Sequence, residues 1–462
     1  MMIKKYDAIV IGSGQAGTPL SKKLAETGRR TALIEQRWVG GTCVNDGCSP
    51  TKAMIASARL AYLIGKDDEL GVNTGKLKID IAKILERKDE IVNRMRKNSE
   101  DGILQTKNLD LIYGTASFSG DKEIAVALNG GGETMFAAEE IYINTGAKPA
   151  IPEITGLDHI DYLTSTSIME LKQIPEHLLI IGTGYVGMEF GQMYRRFGSK
   201  VTMLETSKRI MPKEDEDIAR AVEKIFVDEG ISILKDCQLK EFRKTGKKIK
   251  AYAVIDGQKK IITCTHVLVA TGRRPQGEML NPSKAGVELD KRGFIKVDRF
   301  LETTAKGIFA LGDVNGGPPF THIAFDDYRI IIHNISNKAK RDTDNRLLPY
   351  CMFTDPQLGR VGITEQEAKK KGLDILVASM PNTAVARAIE MGDTRGLMKA
   401  VVDKKTGQIL GASILGTEGG EVVTVLQMAM LGGITWQEVH DGVFAHPTFS
   451  ESLNNLFAFP DK

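Results

Sequence analysis

One pattern occurs twice in this chain, and it limits the possible folds more than any other feature. The first copy starts with the strand-like run 7–11, apolar from Ala8, passes through Gly12, Gly14 and Gly17, and continues past Gly28 to Glu35. The second starts at 178–181, passes through Gly182, Gly184 and Gly187, and continues past Gly198 to Glu205. All five positions repeat at one offset, from Gly12 to Gly182 through Glu35 to Glu205. Each copy reads as strand, tight turn, amphipathic helix, strand. The first glycine takes the turn, the second lets backbone approach a pyrophosphate, and the third lets the helix close on the sheet. Free N–H groups and the positive end of the helix dipole then face the phosphates. The acid ending the second strand accepts from a ribose diol. Two such units imply two dinucleotides.

Composition narrows the rest. Glycine makes up 47 of 462 residues, about a tenth against a usual ~7%. With 62 basic and 59 acidic side chains the net charge is +3, which gives no electrostatic reason to bind nucleic acid or an anionic membrane. A mix of 42% apolar and 26% charged residues excludes global disorder. No apolar run reaches the ~18 residues of a membrane span. The strand at 7–11 leaves no room for a signal peptide ahead of it. Five cysteines, odd in number and sparse, argue against a secreted disulfide scaffold, so the cytosol is the expected compartment.

The turns set the expected organisation. Segment 143–149, with Thr145 and Gly146, ends a strand before the second repeat, and 269–275, with Gly272, ends one after it. Both read as crossings, which places the second nucleotide domain inside the first. A further strand ends in the Gly312-Asp313 turn. From about 345 the pattern changes to mixed strands and helices, with a hairpin turn at 404–407, a strand at 409–414 and a helix near 421–431. The expected fold class is α/β. Two Rossmann-type dinucleotide-binding domains occupy 1–150 with 275–344, and 151–274. A C-terminal α+β domain occupies 345–462.

The chemistry centres on Cys43 and Cys48, which lie a few residues after Glu35 in the first repeat only. Pro50 suits the first turn of a helix, so Cys48 is expected at a helix N-terminus, where thiolate is favoured. The spacing permits a strained, reducible disulfide in an irregular turn. Half of a zinc site is the weaker reading, since no second Cys/His pair has ligand spacing. Cys237, Cys264 and Cys351 read as small core residues.

Taken together, the two glycine units, the Cys43–Cys48 pair, the two crossings and the Gly312-Asp313 turn resemble the FAD-dependent pyridine nucleotide–disulfide oxidoreductases of class I. That family includes lipoamide dehydrogenase, glutathione reductase and mercuric reductase. Segments 320–329 and 446–457 look most like its mercuric-reductase-like branch, which includes the reactive-chlorine-resistance flavoprotein, a copper-ion reductase. The resemblance implies FAD at Gly12, Gly14, Gly17, Glu35, Gly41, Thr42, Lys52, Thr145, Gly146 and Asp313. It implies NAD(P)H at Gly182, Gly184, Tyr185, Val186, Gly187, Glu205 and Gly272, with Tyr185 where glutathione reductase has an aromatic gate over the flavin. It implies a Lys52–Glu189 ion pair beside the flavin. It also implies a homodimer through the C-terminal domain, in which His446 and Glu451 serve the disulfide of the other copy. Electrons would pass from NAD(P)H through flavin to Cys43–Cys48, with Cys48 nearest the flavin and Cys43 the attacking thiol.

Glu205 accepts from a free 2′-OH and repels a 2′-phosphate, so NADH is favoured over NADPH, with Lys208 and Arg209 near enough to soften that preference. The expected acceptor is a thiophilic metal ion, which suits soft thiolates, or a small disulfide. A dihydrolipoamide dehydrogenase is the alternative. A flavoprotein subunit acting mainly through partner binding is the alternative of another class. No cysteine pair follows in 457–462 and no metal-binding pair precedes residue 1, from which poor mercury turnover is expected. No resident metal site is expected. Asp46 and Ser49 depart from the apolar residues of the family. A carboxylate at Asp46 is expected to raise the thiol pKa values or to add an oxygen ligand for a cation.

Overall fold

The computed structural model describes residues 3–458. Residues 1–2 and 459–462, which hold most of the cysteine-free tail, lie outside it. Packing divides the chain into two units. The first holds the residues up to 53, then 83–150 and 272–346. The second holds 54–82, 151–271 and the residues from 347 on.

In the first unit, Lys4–Ile11 pairs in parallel with Thr31–Glu35 on one side and Glu133–Ile143 on the other. Leu109–Gly120 extends the sheet beyond Thr31–Glu35, and Ile308–Ala310 extends it beyond Glu133–Ile143. Leu109–Gly120, Glu123–Leu128 and Glu133–Ile143 form an antiparallel meander, so these strands close on themselves. Successive side chains of a strand point to opposite faces. Ala8, Val10 and Leu33 therefore pack with Leu20 and Leu24 of the helix Gly17–Glu26. Ile9, Ile11, Ala32 and Ile34 pack with Phe118, Ile124 and Val126 of the meander. Burial on both faces is why these strands read as continuous apolar runs. At the crossings, Ala147–Pro149 and Arg273–Pro275 form an antiparallel ribbon within this unit.

The second unit repeats the parallel arrangement. Its strand order is His266–Val269, His177–Ile181, Lys200–Leu204, Ser232–Leu234. A three-stranded antiparallel sheet, Cys237–Thr245, Lys248–Ile255 and Gln258–Cys264, shares its core. The same unit holds a five-stranded antiparallel sheet ordered Tyr350–Met352, Gln357–Gly362, Ile409–Gly416, Leu397–Asp403, Ile375–Pro381. The hairpin at 404–407 joins two of its strands, and the helix expected near 421–431 spans Gly419–Gly432. Among the described residues, no helix is long and apolar enough to cross a membrane.

Candidate active site

The first glycine turn is closed by backbone contact. Gly12 has φ +100°, and a Cβ there would strike the carbonyl oxygen of Asn144. A Cβ on Gly17 would strike the carbonyl oxygen of Gly12, and one on Gly41 would lie 2.6 Å from Gly14 Cα. Thr42 follows Gly41 in the short helix Gly41–Asn45. Asn144, which the sequence pattern did not single out, holds the turn. Its Oδ1 accepts from Gly17 N–H at 2.9 Å, and its Nδ2 donates to Leu311 O at 2.8 Å. Gly14 is needed because a Cβ would sit 2.8 Å from that Oδ1. Glu35 is buried. Its Oε2 accepts from Ser13 N–H and Oγ–H at 3.0 and 2.6 Å, and its Oε1 accepts from Arg37 N–H at 2.8 Å.

The same unit passes a test of fit for a flavin dinucleotide. Gly146 has φ +68° and open space where a Cβ would stand. Next to it, Thr145 Oγ donates to Gln276 O at 3.2 Å. Asp313 lies in the Gly312–Asn315 turn. Burial raises its carboxyl above the usual range, and the Arg273 guanidinium, 3.7 Å away, works against that rise. Arg273 Nε is buried with no hydrogen-bond acceptor. A cradle with free volume and an orphaned donor beside a carboxyl suits a polyhydroxyl chain and pyrophosphate.

The thiols belong to this unit too. The helix Cys48–Ile64 begins at Cys48, as Pro50 implied. Cys48 is exposed and Cys43 half-buried, both as free thiols. Cys48 Sγ lies 3.3 Å from Thr321 Oγ, at the start of the helix Thr321–Ser336. The Cys43 pKa is raised, first because its sulfur is hydrogen-bonded to that of Cys48 and then by burial. Thr321 and the Lys52 ammonium act in the opposite direction. Within this pair only one sulfur readily carries charge. The Asp46 carboxylate is ion-paired with Arg37. A guanidinium in contact cancels a carboxylate's field, and the raised Cys43 pKa has other leading causes.

The second glycine turn lies in the other unit. A Cβ on Gly182 would lie 2.5 Å from Ala270 O, and one on Gly187 would strike Gly182 O. Gly184 has open space at that position, and Val186 is exposed; Gly272, which also has open space there, falls in the first unit. Free volume against bare backbone suits a second pyrophosphate. Glu205 accepts from Thr183 Oγ, and from Ser207 N–H at 2.8 Å. Burial opposes its ionisation, but these bonds prevail and hold the carboxyl below its usual range. Arg209 is tied to the carbonyls of Pro212 and Glu214 at 3.0 and 3.1 Å, so it is occupied away from that carboxylate.

Tyr185 begins the helix Tyr185–Arg196. Its hydroxyl donates to Glu214 Oε1 at 2.7 Å, and the Tyr350 hydroxyl donates to the same oxygen at 2.7 Å. The two rings sit 5.3 Å apart. Arg360 Nε lies 3.2 Å from the other Glu214 oxygen. Glu189, one turn on from Tyr185, is buried, and its Oε1 accepts from Phe353 N–H at 2.9 Å. Lys52 and Glu189 fall in different units. His446, in the second unit, places Nδ1 2.9 Å from each oxygen of Glu451, which precedes the helix Ser452–Leu456. Of the expected residues, the structure joins His446 with Glu451, and Cys43 with Cys48 and Lys52. Asn144, Thr321, Glu214 and Tyr350 were missed. Asn144 lies in segment 143–149 and Thr321 in 320–329, but Glu214 and Tyr350 carry no local signal.

A chain that builds two dinucleotide cradles and sets a dithiol at a helix start in the first of them is of the flavin-dithiol oxidoreductase class. Comparison with known proteins bears this out. The pyridine nucleotide-disulphide oxidoreductase family matches residues 6–327, and the dimerisation domain of that family matches 348–457. The chain belongs to this family, whose members are enzymes that use FAD and NAD(P)H. It is 38% identical over 460 residues to the probable pyridine nucleotide-disulfide oxidoreductase RclA of Escherichia coli, covering 99% of each chain. It is 37% identical over 448 residues to a mercuric reductase of Staphylococcus aureus, covering 97% of this chain and 81% of that one. A dihydrolipoyl dehydrogenase of Thermus scotoductus is 34% identical, covering 98% and 96%. The Cu(II) complex of HOCl-induced flavoprotein disulfide reductase RclA from Escherichia coli superimposes with a TM-score of 0.90 at 38% identity, covering 99% of each chain.

Proposed function

We propose that this enzyme takes electrons from NADH and delivers them through Cys43 and Cys48 to a thiophilic metal ion. The observation that carries the reading is the dithiol itself: one sulfur exposed at a helix start, its partner half-buried against it, with Lys52 acting on the pair. Bound FAD supplies the hydride-accepting, electron-donating centre between nicotinamide and sulfur. Gly12, Gly14, Gly17, Gly41, Thr42, Thr145, Gly146, Glu35 and Asp313 hold it, and Lys52 with Glu189 flanks its ring. Gly182, Gly184, Val186, Gly187, Gly272 and Glu205 hold NADH, with Tyr185 at the entrance. The nucleotide parts are 1–150 with 275–344, and 151–274, with 345–462 for pairing. Each NADH brings two electrons, so two Cu(II) ions are reduced to Cu(I), or one Hg(II) to Hg(0). Likeness to the E. coli protein solved with Cu(II), and to mercuric reductases, supports this acceptor.

The His446–Glu451 dyad favours a second acceptor class, a small disulfide cleaved to two thiols. An imidazole held by a carboxylate is a proton carrier that thiol exchange requires and metal reduction does not. Two copies pair through the C-terminal domain, so that the dyad serves the sulfurs of the other copy. The dimerisation-domain match and the exposed Met428, Leu431, Ile434 and Val443 support that pairing. The cytosol is the proposed compartment, since a dithiol there stays reducible. The test is an acceptor panel under NADH: Cu(II), Hg(II), lipoamide, glutathione disulfide and a quinone, with wild type and Cys43→Ser. Metal reduction at least about tenfold faster than lipoamide reduction, and lost in Cys43→Ser, is the expected result. Lipoamide as the fastest acceptor would make the chain a dihydrolipoamide dehydrogenase.

A further inference from the structure

Asp46 lies between the redox sulfurs in sequence, two residues before Cys48 and three after Cys43. A bare carboxylate there would oppose thiolate formation and repel anions approaching the couple. The structure places Arg37 on it: Nη2 of Arg37 pairs with Oδ2 of Asp46, whose side chain is only 15% exposed. The same guanidinium lies 4.4 Å from the centre of the Trp38 ring, and that of Arg96 lies 4.2 Å from it. Arg96 Nε donates to Asn45 Oδ1 at 2.8 Å, and Asn45 Nδ2 donates to Val39 O and Gly41 O at 3.0 and 2.9 Å. The loop between the cysteines is thus fastened to segment 37–41 through two adjacent residues and two arginines. Arg37 is nearly half exposed, and an ion pair so placed contributes little to stability. Its consequence is local charge. The groups acting on Cys43 include the Cys48 thiol, Thr321 and the Lys52 ammonium.

We propose that Arg37 is a positioning residue that holds Asp46 as a neutral pair, so that Asp46 adds no net negative charge at the Cys43–Cys48 couple. The inference rests on the reading of those cysteines as the redox couple. Arg37 also bridges sites: its own N–H is held by Glu35, the carboxylate of the first dinucleotide turn, while its guanidinium reaches the thiol loop.

The experiment counts charge with two alkylating probes, anionic iodoacetate and neutral iodoacetamide. They are applied to the flavin-containing enzyme after reduction with dithiothreitol, at one pH and low salt. The peptide carrying Cys43 and Cys48 is followed by mass spectrometry. Arg37→Gln exposes one negative charge, and the iodoacetate-to-iodoacetamide rate ratio is expected to fall about threefold or more. Asp46→Asn exposes one positive charge, and the ratio is expected to rise by a similar factor. The double variant and Arg37→Lys should both return to the wild-type ratio. About 1 M salt should compress all the differences, as its screening length is only about 3 Å. Both single variants shifting the ratio the same way, a flat ratio throughout, or no return in the double variant would each overturn the proposal. A flat ratio in enzyme whose turnover is abolished by alkylation defeats this inference alone. Alkylation that leaves turnover intact with every acceptor defeats the redox reading beneath it.

Discussion

Nδ1 of His446 faces Glu451 squarely, 2.9 Å from each carboxylate oxygen. A carboxylate only accepts, so Nδ1 carries the hydrogen and Nε2 is left to take or give a proton. His446→Gln should lower kcat/KM for a disulfide acceptor by about a hundredfold or more, and Glu451→Gln by about tenfold. The rate at which NADH bleaches the flavin in a stopped-flow experiment should not change in either variant. Slowed bleaching in both would place the dyad in the wrong half-reaction.

Glu205 bears on cofactor choice. Its carboxyl sits below the usual range because hydrogen bonds from Thr183 and Ser207 outweigh burial. The charge is therefore present well below neutral pH and is lost only as pH drops beneath the ordinary carboxylate value of about 4.3. NADH should exceed NADPH in kcat/KM by about tenfold or more, unchanged from about pH 5.5 to 8. Glu205→Ala should narrow that gap mainly by lowering KM for NADPH. Steady-state kinetics with both cofactors decide it, and a wild-type preference for NADPH would refute the assignment.

Glu214 is almost fully buried and answers an equally buried Arg360. Removing one partner of such a pair leaves an uncompensated charge. Glu214→Ala should cost about 3–5 kcal/mol, visible as a fall in the denaturant midpoint. Tyr350→Phe removes one of two phenol donors and leaves the ion pair, and should cost only about 1 kcal/mol. Equal losses in the two variants would mean that the ion pair contributes nothing special.

Two histidines predict the acid limb of stability. Burial lowers the pKa of His177, with Lys200 adding to it, and burial lowers that of His266. Both stay neutral in the folded chain at pH values where the unfolded chain binds a proton. Their contribution is complete above about pH 6.5 and is lost as pH falls through that value toward the depressed folded ones. The melting midpoint should drop across this window, and His177→Gln should flatten the drop. A midpoint independent of pH from 7 down to about 5 would contradict the reading.

The glycine turns could be read from the chain alone because their demands are local. A positive φ at Gly12 or Gly182, and a third glycine where any Cβ would meet the first one's carbonyl, admit one residue type. Cys48 at a helix start was equally local, since Pro50 fits only a first turn. Asn144 was not legible: it braces Gly17 from 127 residues away, and its own neighbours give no hint of that bond. Glu214 looked like one more acid in a charged loop until the sheet strands bearing Tyr350 and Arg360 packed against it.

Asp46 marks the division most clearly. The order of residues determined that a carboxylate stands between two sulfurs, that two dinucleotides are held, and that a His and a Glu five positions apart can pair. Only the folded chain decided that Arg37 reaches the carboxylate, that Thr321 reaches Cys48, and that two phenols share one oxygen of Glu214. Backbone demands are written position by position. The charge a side chain presents depends on what lies within a few ångströms of it, and long-range packing sets that.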